Sequence, residues 1–117
     1  TYGGTVLGSR VVYTVLDTLQ KENAVENAAQ IGSYIVEQLR TQLVNENVKV
    51  RGFGMMIGIE LPKACGELVD IARIEHNLII NVTAGNVVRL LPALNMTHEQ
   101  ADDLLKRLVP AIKNFLG

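Results

Sequence analysis

The chain of 117 residues is 48% hydrophobic and 20% charged, and its formal net charge is −1. A composition this apolar and this close to neutral is typical of one globular domain and excludes a disordered segment. Because its 11 basic residues are scattered along the sequence, we expect neither a nucleic acid nor an anionic membrane as a partner. We also expect no transmembrane helix and no signal peptide.

The single cysteine limits the redox and metal chemistry of the chain. Cys65 has no second cysteine with which to form an internal disulfide, and no cysteine and histidine cluster has the spacing of a zinc site. A packed or partly exposed thiol is therefore expected, in a reducing, cytoplasmic environment. The chain starts at Thr1 and not at Met, which suggests a processed chain or a piece of a longer one.

Two helices are predicted in the N-terminal part. Apolar residues recur at helical spacing after Gly3-Gly4 and predict a helix over about 4–21. Asn23, with Glu26 three positions later, has the pattern of a capping box and predicts the start of a second helix. That helix is expected to end near 45–47.

Strands and two further helices are predicted in the rest of the chain. Residues 48–61 alternate between apolar and polar with a break at the central glycines, which indicates two strands. A helix is expected over 66–76 with Asn77 as its left-handed terminal residue. The apolar runs 78–82 and 87–91 predict a hairpin, and a capping box at 97–100 starts the last helix. This order predicts an α+β fold in which helices cover one face of a small antiparallel or mixed sheet.

Arg89 is the candidate binding residue. It lies between Val88 and Leu90 in an otherwise apolar run, where an unpaired buried charge would be costly. Either its side of the sheet faces water, or the guanidinium grips a carboxylate of a protein glutamate or a substrate. Glu60 is interpreted as structural or as the partner of a cation.

The N-terminus offers a second candidate. Thr1 and the glycines that follow Tyr2 stand before a predicted helix, where a hydroxyl and backbone N–H groups can converge on a phosphate. An ordinary turn is the commoner outcome for such a sequence. No metal ligand and no catalytic role is predicted for His76 or His98.

Three stretches taken together, in this order, resemble the C-terminal part of the class III aminotransferases. They read TYGG from Thr1, VRGFGMMIGIEL over 50–61 and LIINVTAGNVVRLLP over 78–92. Members of this family are fold-type I enzymes that depend on pyridoxal 5′-phosphate. The resemblance covers essentially the whole chain and implies an interdomain helix over 1–21 followed by a small α+β domain over 22–117.

The resemblance also implies roles and partners. Thr1 matches a threonine that donates to the cofactor phosphate of the neighbouring subunit, and Arg89 matches an arginine that pairs with a glutamate of the large domain or with a substrate carboxylate. The implied partners are that large domain, a second identical subunit and a small amino-acid substrate. Thr5-Val6 and Arg10 depart from the family pattern in the segment that enters the interdomain helix.

The third motif is most similar to members that exchange an amino group between N-acetylornithine and 2-oxoglutarate in arginine biosynthesis. Succinylornithine, ornithine and 4-aminobutyrate are the alternative donors, and a free-standing α+β interaction or ligand-sensing module is the alternative outside enzymes. The family lysine that forms the Schiff base precedes the TYGG stretch. We therefore expect the isolated chain to be inactive and to associate through the apolar stripe of residues 6–19.

Overall fold

The structure is a computed structural model that describes residues 3–117. The elements are, in chain order, α1 (Val6–Lys21), α2 (Ala24–Gln42), β1 (Lys49–Phe53), β2 (Met56–Glu60), α3 (Leu68–His76), β3 (Asn81–Thr83), β4 (Val87–Leu90) and α4 (His98–Leu116). The order of helices and strands predicted from hydrophobic periodicity is confirmed. Thr1 and Tyr2 lie outside the described residues.

The four strands form one antiparallel sheet in the order β1-β2-β4-β3. Successive side chains of a strand point to opposite faces, and on one face they join the helices in a single aliphatic core. Fully buried side chains come from α2, β2, α3, β4 and α4, for example Ile35, Ile57, Leu68, Val88 and Leu108. The predicted α+β fold with helices on one face is therefore confirmed.

Helix α2 crosses the turn between β1 and β2 at two glycines. A Cβ built on Gly32 would lie 1.9 Å from the carbonyl oxygen of Gly54. Gly54 itself has a φ of 56°, a backbone conformation that glycine adopts without a steric penalty. The helix can therefore approach the hairpin this closely only because Gly32 carries no side chain, whereas a Cβ on Gly54 would meet nothing within 4 Å.

The start of α2 was predicted at the right place but for the wrong reason. Asn23 has left-handed backbone angles, with φ at 54°, and its side chain makes no capping bond to the helix backbone. Its Nδ2 instead donates to Oε2 of Glu26 at 2.9 Å. An extended backbone is what lets a capping side chain reach the first helical N–H groups, so the left-handed bend from α1 into α2 replaces the capping box.

Two predicted boundaries are also corrected. Helix α2 ends at Gln42 and is followed by turns up to residue 47. Strand β3 begins at Asn81 and not at 78. Asn81 pairs with Arg89, so the same register would place Leu78 opposite Pro92, which has no N–H donor for the ladder.

Three local predictions are confirmed. Asn77 has a φ of 51° after the last residue of α3. Ala84 and Gly85, with φ of 52° and 78°, lie in the three-residue turn over 84–86 that joins β3 to β4 as a short hairpin loop. In the capping box before α4, the N–H of Gln100 donates to Oγ1 of Thr97, and the Gln100 side chain accepts from the N–H of Thr97.

Helix α1 stands apart from the core. It has no buried residue, and the exposed fractions of Val6 and Leu7 are 89% and 77%. No helix among residues 3–117 has the length and apolar character needed to span a membrane. The apolar side of α1 is consequently a surface that this chain does not cover itself.

Candidate functional site

All four charged residues of the sheet lie on the face that points away from the core. They are Lys49, Arg51, Glu60 and Arg89. Their strand neighbours point to the opposite face and build the core, as the alternation of a strand requires. This outer face therefore carries three cations and one carboxylate.

Arg89 is exposed between two buried neighbours. Val88 and Leu90 are 0% and 5% exposed, whereas the Arg89 side chain is in the exposed class. The side of the sheet that carries Arg89 therefore faces outward in this chain, and the grip of its guanidinium on a carboxylate of a glutamate or a substrate stays a prediction. Within residues 3–117 no hydrogen bond or ion pair engages its guanidinium, which leaves N–H donors free for a ligand.

Glu60 is engaged by the two cations of β1. Arg51 Nη1 lies 3.3 Å from Oε2 of Glu60, and Lys49 Nζ lies 3.9 Å from Oε1. The interpretation of Glu60 as the partner of a cation is confirmed. Exposed pairs of this kind contribute little to stability, and this one does not include Arg89.

Arg51, Gly58 and Arg89 stand side by side on the outer face. Gly58 on β2 pairs with Arg51 on one side and with Arg89 on the other. A cavity of about 400 Å³ is lined by both arginines together with Phe53, Met56 and other sheet residues. Phe53 is 92% exposed, so apolar and cationic surface meet at this cavity.

Sequence reasoning missed Arg51 and Gly58 as neighbours of Arg89. Arg51 and Gly58 lie on the paired strands β1 and β2, but Arg89 lies 31 positions after Gly58. The alternation within each strand was the available signal, since it assigns all three residues to one side. The register that puts them in line was not available, because strand pairing is a non-local property.

The predicted phosphate contact of Thr1 lies outside the described residues. In the described part, the N–H of Gly8 donates to Oγ1 of Thr5 at 3.1 Å at the start of α1. Threonine is a favourable N-cap residue. Thr5, which departs from the family pattern, thus has a local role in beginning the helix that sequence reasoning had not assigned.

The environment of the lysines decides whether this chain fits covalent attachment of pyridoxal phosphate. A lysine that forms a Schiff base is activated by an enclosed, desolvated pocket or a neighbouring cation. All five lysines of this chain are exposed, Lys21 is paired with Asp17, and Lys63 lies over the ring of Phe115. The described residues therefore do not fit covalent attachment of the cofactor.

The remaining reactive side chains show no constellation for chemistry. Cys65 is buried, and desolvation raises the pKa of its thiol, which makes the reactive thiolate scarce. His98 stacks edge-on against the Tyr34 ring at 4.9 Å between centroids. Among residues 3–117, no group of histidine, cysteine and carboxylate side chains is arranged to hold a metal ion.

Comparison with known proteins gives a consistent family relationship. The profile of the family described as Aminotransferase class-III matches residues 1–112. The acetylornithine aminotransferase of Nitrosomonas europaea is 42% identical over 99% of this chain and 30% of its own length. That of Methanosarcina mazei is 35% identical over 95% of this chain and 28% of its own length.

Solved structures agree with the sequence relatives. The structure of Plasmodium falciparum ornithine δ-aminotransferase superimposes with a TM-score of 0.91 at 31% identity, over 98% of this chain and 31% of that one. Acetylornithine aminotransferase from Elizabethkingia anophelis gives a TM-score of 0.78 at 29% identity, over 86% of this chain and 28% of that one. The chain thus spans about 30% of the length of the proteins it matches.

Proposed function

Because this chain belongs to the class III aminotransferase family, we propose that it forms the C-terminal small domain of an enzyme that exchanges an amino group between N-acetylornithine and 2-oxoglutarate. Support for the donor comes from the curated relatives, which are named acetylornithine aminotransferases. The reaction would serve arginine biosynthesis. We further propose a cytoplasmic location, which the single free cysteine supports.

The part of this chain in the reaction is to bind a substrate carboxylate through Arg89. The observation that carries this proposal is an exposed guanidinium, on an outer sheet face with three cations and one carboxylate, that no group within residues 3–117 engages. A guanidinium matches the geometry of a carboxylate and stays protonated at any physiological pH. Arg89 would hold the substrate in position while other groups carry out the chemistry.

The covalent chemistry is assigned to a part of the parent enzyme outside residues 3–117. The exposed lysines described above do not provide an activated amine. The pyridoxal phosphate that the family uses would accordingly be attached elsewhere, and Thr1 is proposed to contact its phosphate in a second subunit. The isolated chain is expected to have no transaminase activity.

Helix α1 is proposed to dock on the large domain and on a second identical subunit. Its apolar side chains are exposed, with Val11, Val12 and Leu16 between 53% and 58% accessible. An apolar surface of this kind normally marks a protein contact. A homodimer of the parent enzyme would bury it.

Steady-state kinetics of the full-length parent test the proposed function. N-acetylornithine is expected to give a higher kcat/KM than succinylornithine, ornithine or 4-aminobutyrate. Arg89→Gln should raise the KM for 2-oxoglutarate about tenfold or more, as expected for loss of a charge-assisted contact. Arg73→Gln removes an equal charge from α3, where Arg73 pairs with Asp70, and should leave the KM unchanged.

The kinetic results separate the alternatives. A preference for another donor would overturn the assignment to N-acetylornithine within the same enzyme class. Absence of transaminase activity from a full-length, cofactor-loaded protein would favour the interaction or ligand-sensing module. An unchanged KM in Arg89→Gln would remove this arginine from substrate binding.

A further inference from the structure

We infer that Asn27 of α2 is a positioning residue for substrate binding by Arg89. The inference rests on the proposed carboxylate-binding role of Arg89 and adds to it a residue that does not touch the substrate. Asn27 acts through the loop over residues 91–97, here named the β4–α4 loop, which leaves the strand that carries Arg89. It holds this loop in one place and so restricts the orientation of the Arg89 side chain.

Asn27 binds the β4–α4 loop at two points. Its Nδ2 donates to the carbonyl oxygen of Leu94 at 2.8 Å and to that of Met96 at 3.0 Å. An amide NH2 group carries two N–H donors, so one side chain satisfies two carbonyl groups of the loop. Asn27 is half-buried. The helix therefore holds the middle of the loop through a single amide.

The β4–α4 loop is stiff enough to pass a displacement on to the strand. It contains no glycine, and the ring of Pro92 fixes its own φ. The N–H of Met96 donates to the carbonyl oxygen of Ala93 at 3.0 Å and closes a turn. A shift of the middle of the loop would consequently reach the end of β4, which lies one residue after Arg89.

The loop and Arg89 also share a cavity. A cavity of about 350 Å³ is lined by Arg89 and by Leu91, Pro92 and Met96 of the loop. Because no bond within residues 3–117 holds the guanidinium, the shape of this cavity limits the orientations that are open to the Arg89 side chain. A side chain restricted before binding loses less conformational entropy when the ligand arrives. Loss of the Asn27 contacts should therefore weaken binding without removing the charge.

A second bond between α2 and the C-terminal part of the chain provides a matched control. Tyr34 lies seven positions after Asn27 and so on the same side of α2, and its hydroxyl donates to Oδ1 of Asp102 on α4. Tyr34→Phe breaks this bond but leaves both contacts of Asn27 with the loop in place. It separates a general weakening of the packing between α2 and α4 from the specific loss of the loop contacts.

Steady-state kinetics of the full-length parent test the inference. Asn27→Ala should raise the KM for 2-oxoglutarate roughly threefold, near the lower end of the coupling between residues of one network, with kcat nearly unchanged. A purely structural loss would reduce the active fraction, and therefore the apparent kcat, but not the KM. Asn27→Gln keeps both donors and should restore a KM close to that of the parent. Tyr34→Phe should leave the KM unchanged.

A double-mutant cycle shows whether Asn27 acts through Arg89. Adding Asn27→Ala to Arg89→Gln should not raise the KM further, and additive effects would overturn the inference. If Arg89→Gln raises the KM but Asn27→Ala does not, the positioning role is overturned and the role of Arg89 stands. If Arg89→Gln leaves the KM unchanged, the proposed function of Arg89 fails and the inference fails with it.

A milder variant covers the case in which Asn27→Ala does not fold. Asn27→Ser keeps one hydroxyl donor and should raise the KM by a smaller factor, again with kcat nearly unchanged. An unchanged KM in Asn27→Ser would then overturn the positioning role.

Discussion

Gly32 of α2 faces the backbone of Gly54 so closely that a methyl group has no space between them. A Cβ on Gly32 would come within 1.9 Å of the Gly54 carbonyl oxygen and within 2.5 Å of the carbonyl carbon. Both contacts are with backbone, which cannot rotate away as a side chain can. This crossing fixes α2 against the β1-β2 hairpin and so supports the strands that carry Arg51 and Gly58.

Gly32→Ala is expected to destabilise the fold. The added methyl group forces α2 away from the hairpin, and overpacking of this kind costs about 1–3 kcal/mol of the free energy of unfolding. Urea denaturation followed by circular dichroism measures the change. Gly66→Ala is the matched control, since a Cβ there would meet nothing within 4 Å. Equal stability of the two variants would show that the crossing is not tight in solution.

Thr97→Ala is expected to lower the free energy of unfolding by about 1 kcal/mol. The substitution removes the hydroxyl that accepts from the N–H of Gln100 and breaks the capping box of α4. Thermal and urea denaturation provide the measurement. Thr41→Ala, which removes an exposed hydroxyl bonded to the Glu37 carbonyl inside α2, should have a smaller effect. A larger loss in Thr41→Ala than in Thr97→Ala would contradict the capping argument.

The hydrogen bond from the Tyr34 hydroxyl to Oδ1 of Asp102 should make stability fall at alkaline pH. This bond raises the pKa of Tyr34 above its ordinary value of 10.0, with smaller contributions from desolvation and the Asp102 charge. Because the folded state holds the proton more tightly, the stabilisation is complete below pH 10.0 and is lost as the pH rises through the higher folded-state pKa.

Denaturation of Tyr34→Phe at several pH values, from neutral to strongly alkaline, checks the direction of this pH dependence of stability. The stability difference between the parent sequence and Tyr34→Phe should shrink as the pH rises. Tyr13→Phe is the control, because Arg10 lies over the Tyr13 ring on α1 and the Tyr13 hydroxyl makes no hydrogen bond to a carboxylate within residues 3–117. A difference that grows with pH would contradict the assignment.

The thiol of Cys65 is expected to react only when the chain unfolds. It is 0% exposed, and its burial raises the pKa of the group, so both access and thiolate content are low. Reaction with a thiol reagent near pH 8 should be slow for the native chain and fast in denaturant. Rapid labelling under native conditions would show that the segment before α3 opens locally.

Self-association through α1 should be abolished by charges on its apolar side. Sedimentation of the isolated chain is expected to show oligomers, and the double variant Leu7→Glu, Val11→Glu should be monomeric. Its melting temperature should be nearly unchanged, because α1 contributes no buried residue to the core. Ser9→Glu adds a charge on another side of the helix and should leave association intact. A strict monomer of the parent sequence at high concentration would contradict this prediction.

Local patterns predicted most of the fold. Hydrophobic spacing identified all eight elements, and the Thr97 capping box and the Asn77 terminus were found because their signals lie within a few adjacent residues. Reliance on adjacent residues alone also caused the misinterpretation of Asn23 as a helix-capping residue. Its sequence context fits a capping box, but the backbone turns left-handed there to join α1 to α2, and such a bend depends on where both helices lie.

The candidate site likewise combines features that the sequence determines with features that only the tertiary structure decides. The sequence by itself determined that Arg89 is a cation on an apolar strand and that the chain resembles an aminotransferase domain. Only the tertiary structure decided that Arg89 is exposed, that Glu60 is engaged by Arg51, and that Gly58 separates the two arginines. The physical reason is that alternation along a strand is local, whereas the residue opposite each strand position is set by packing between segments distant in the chain.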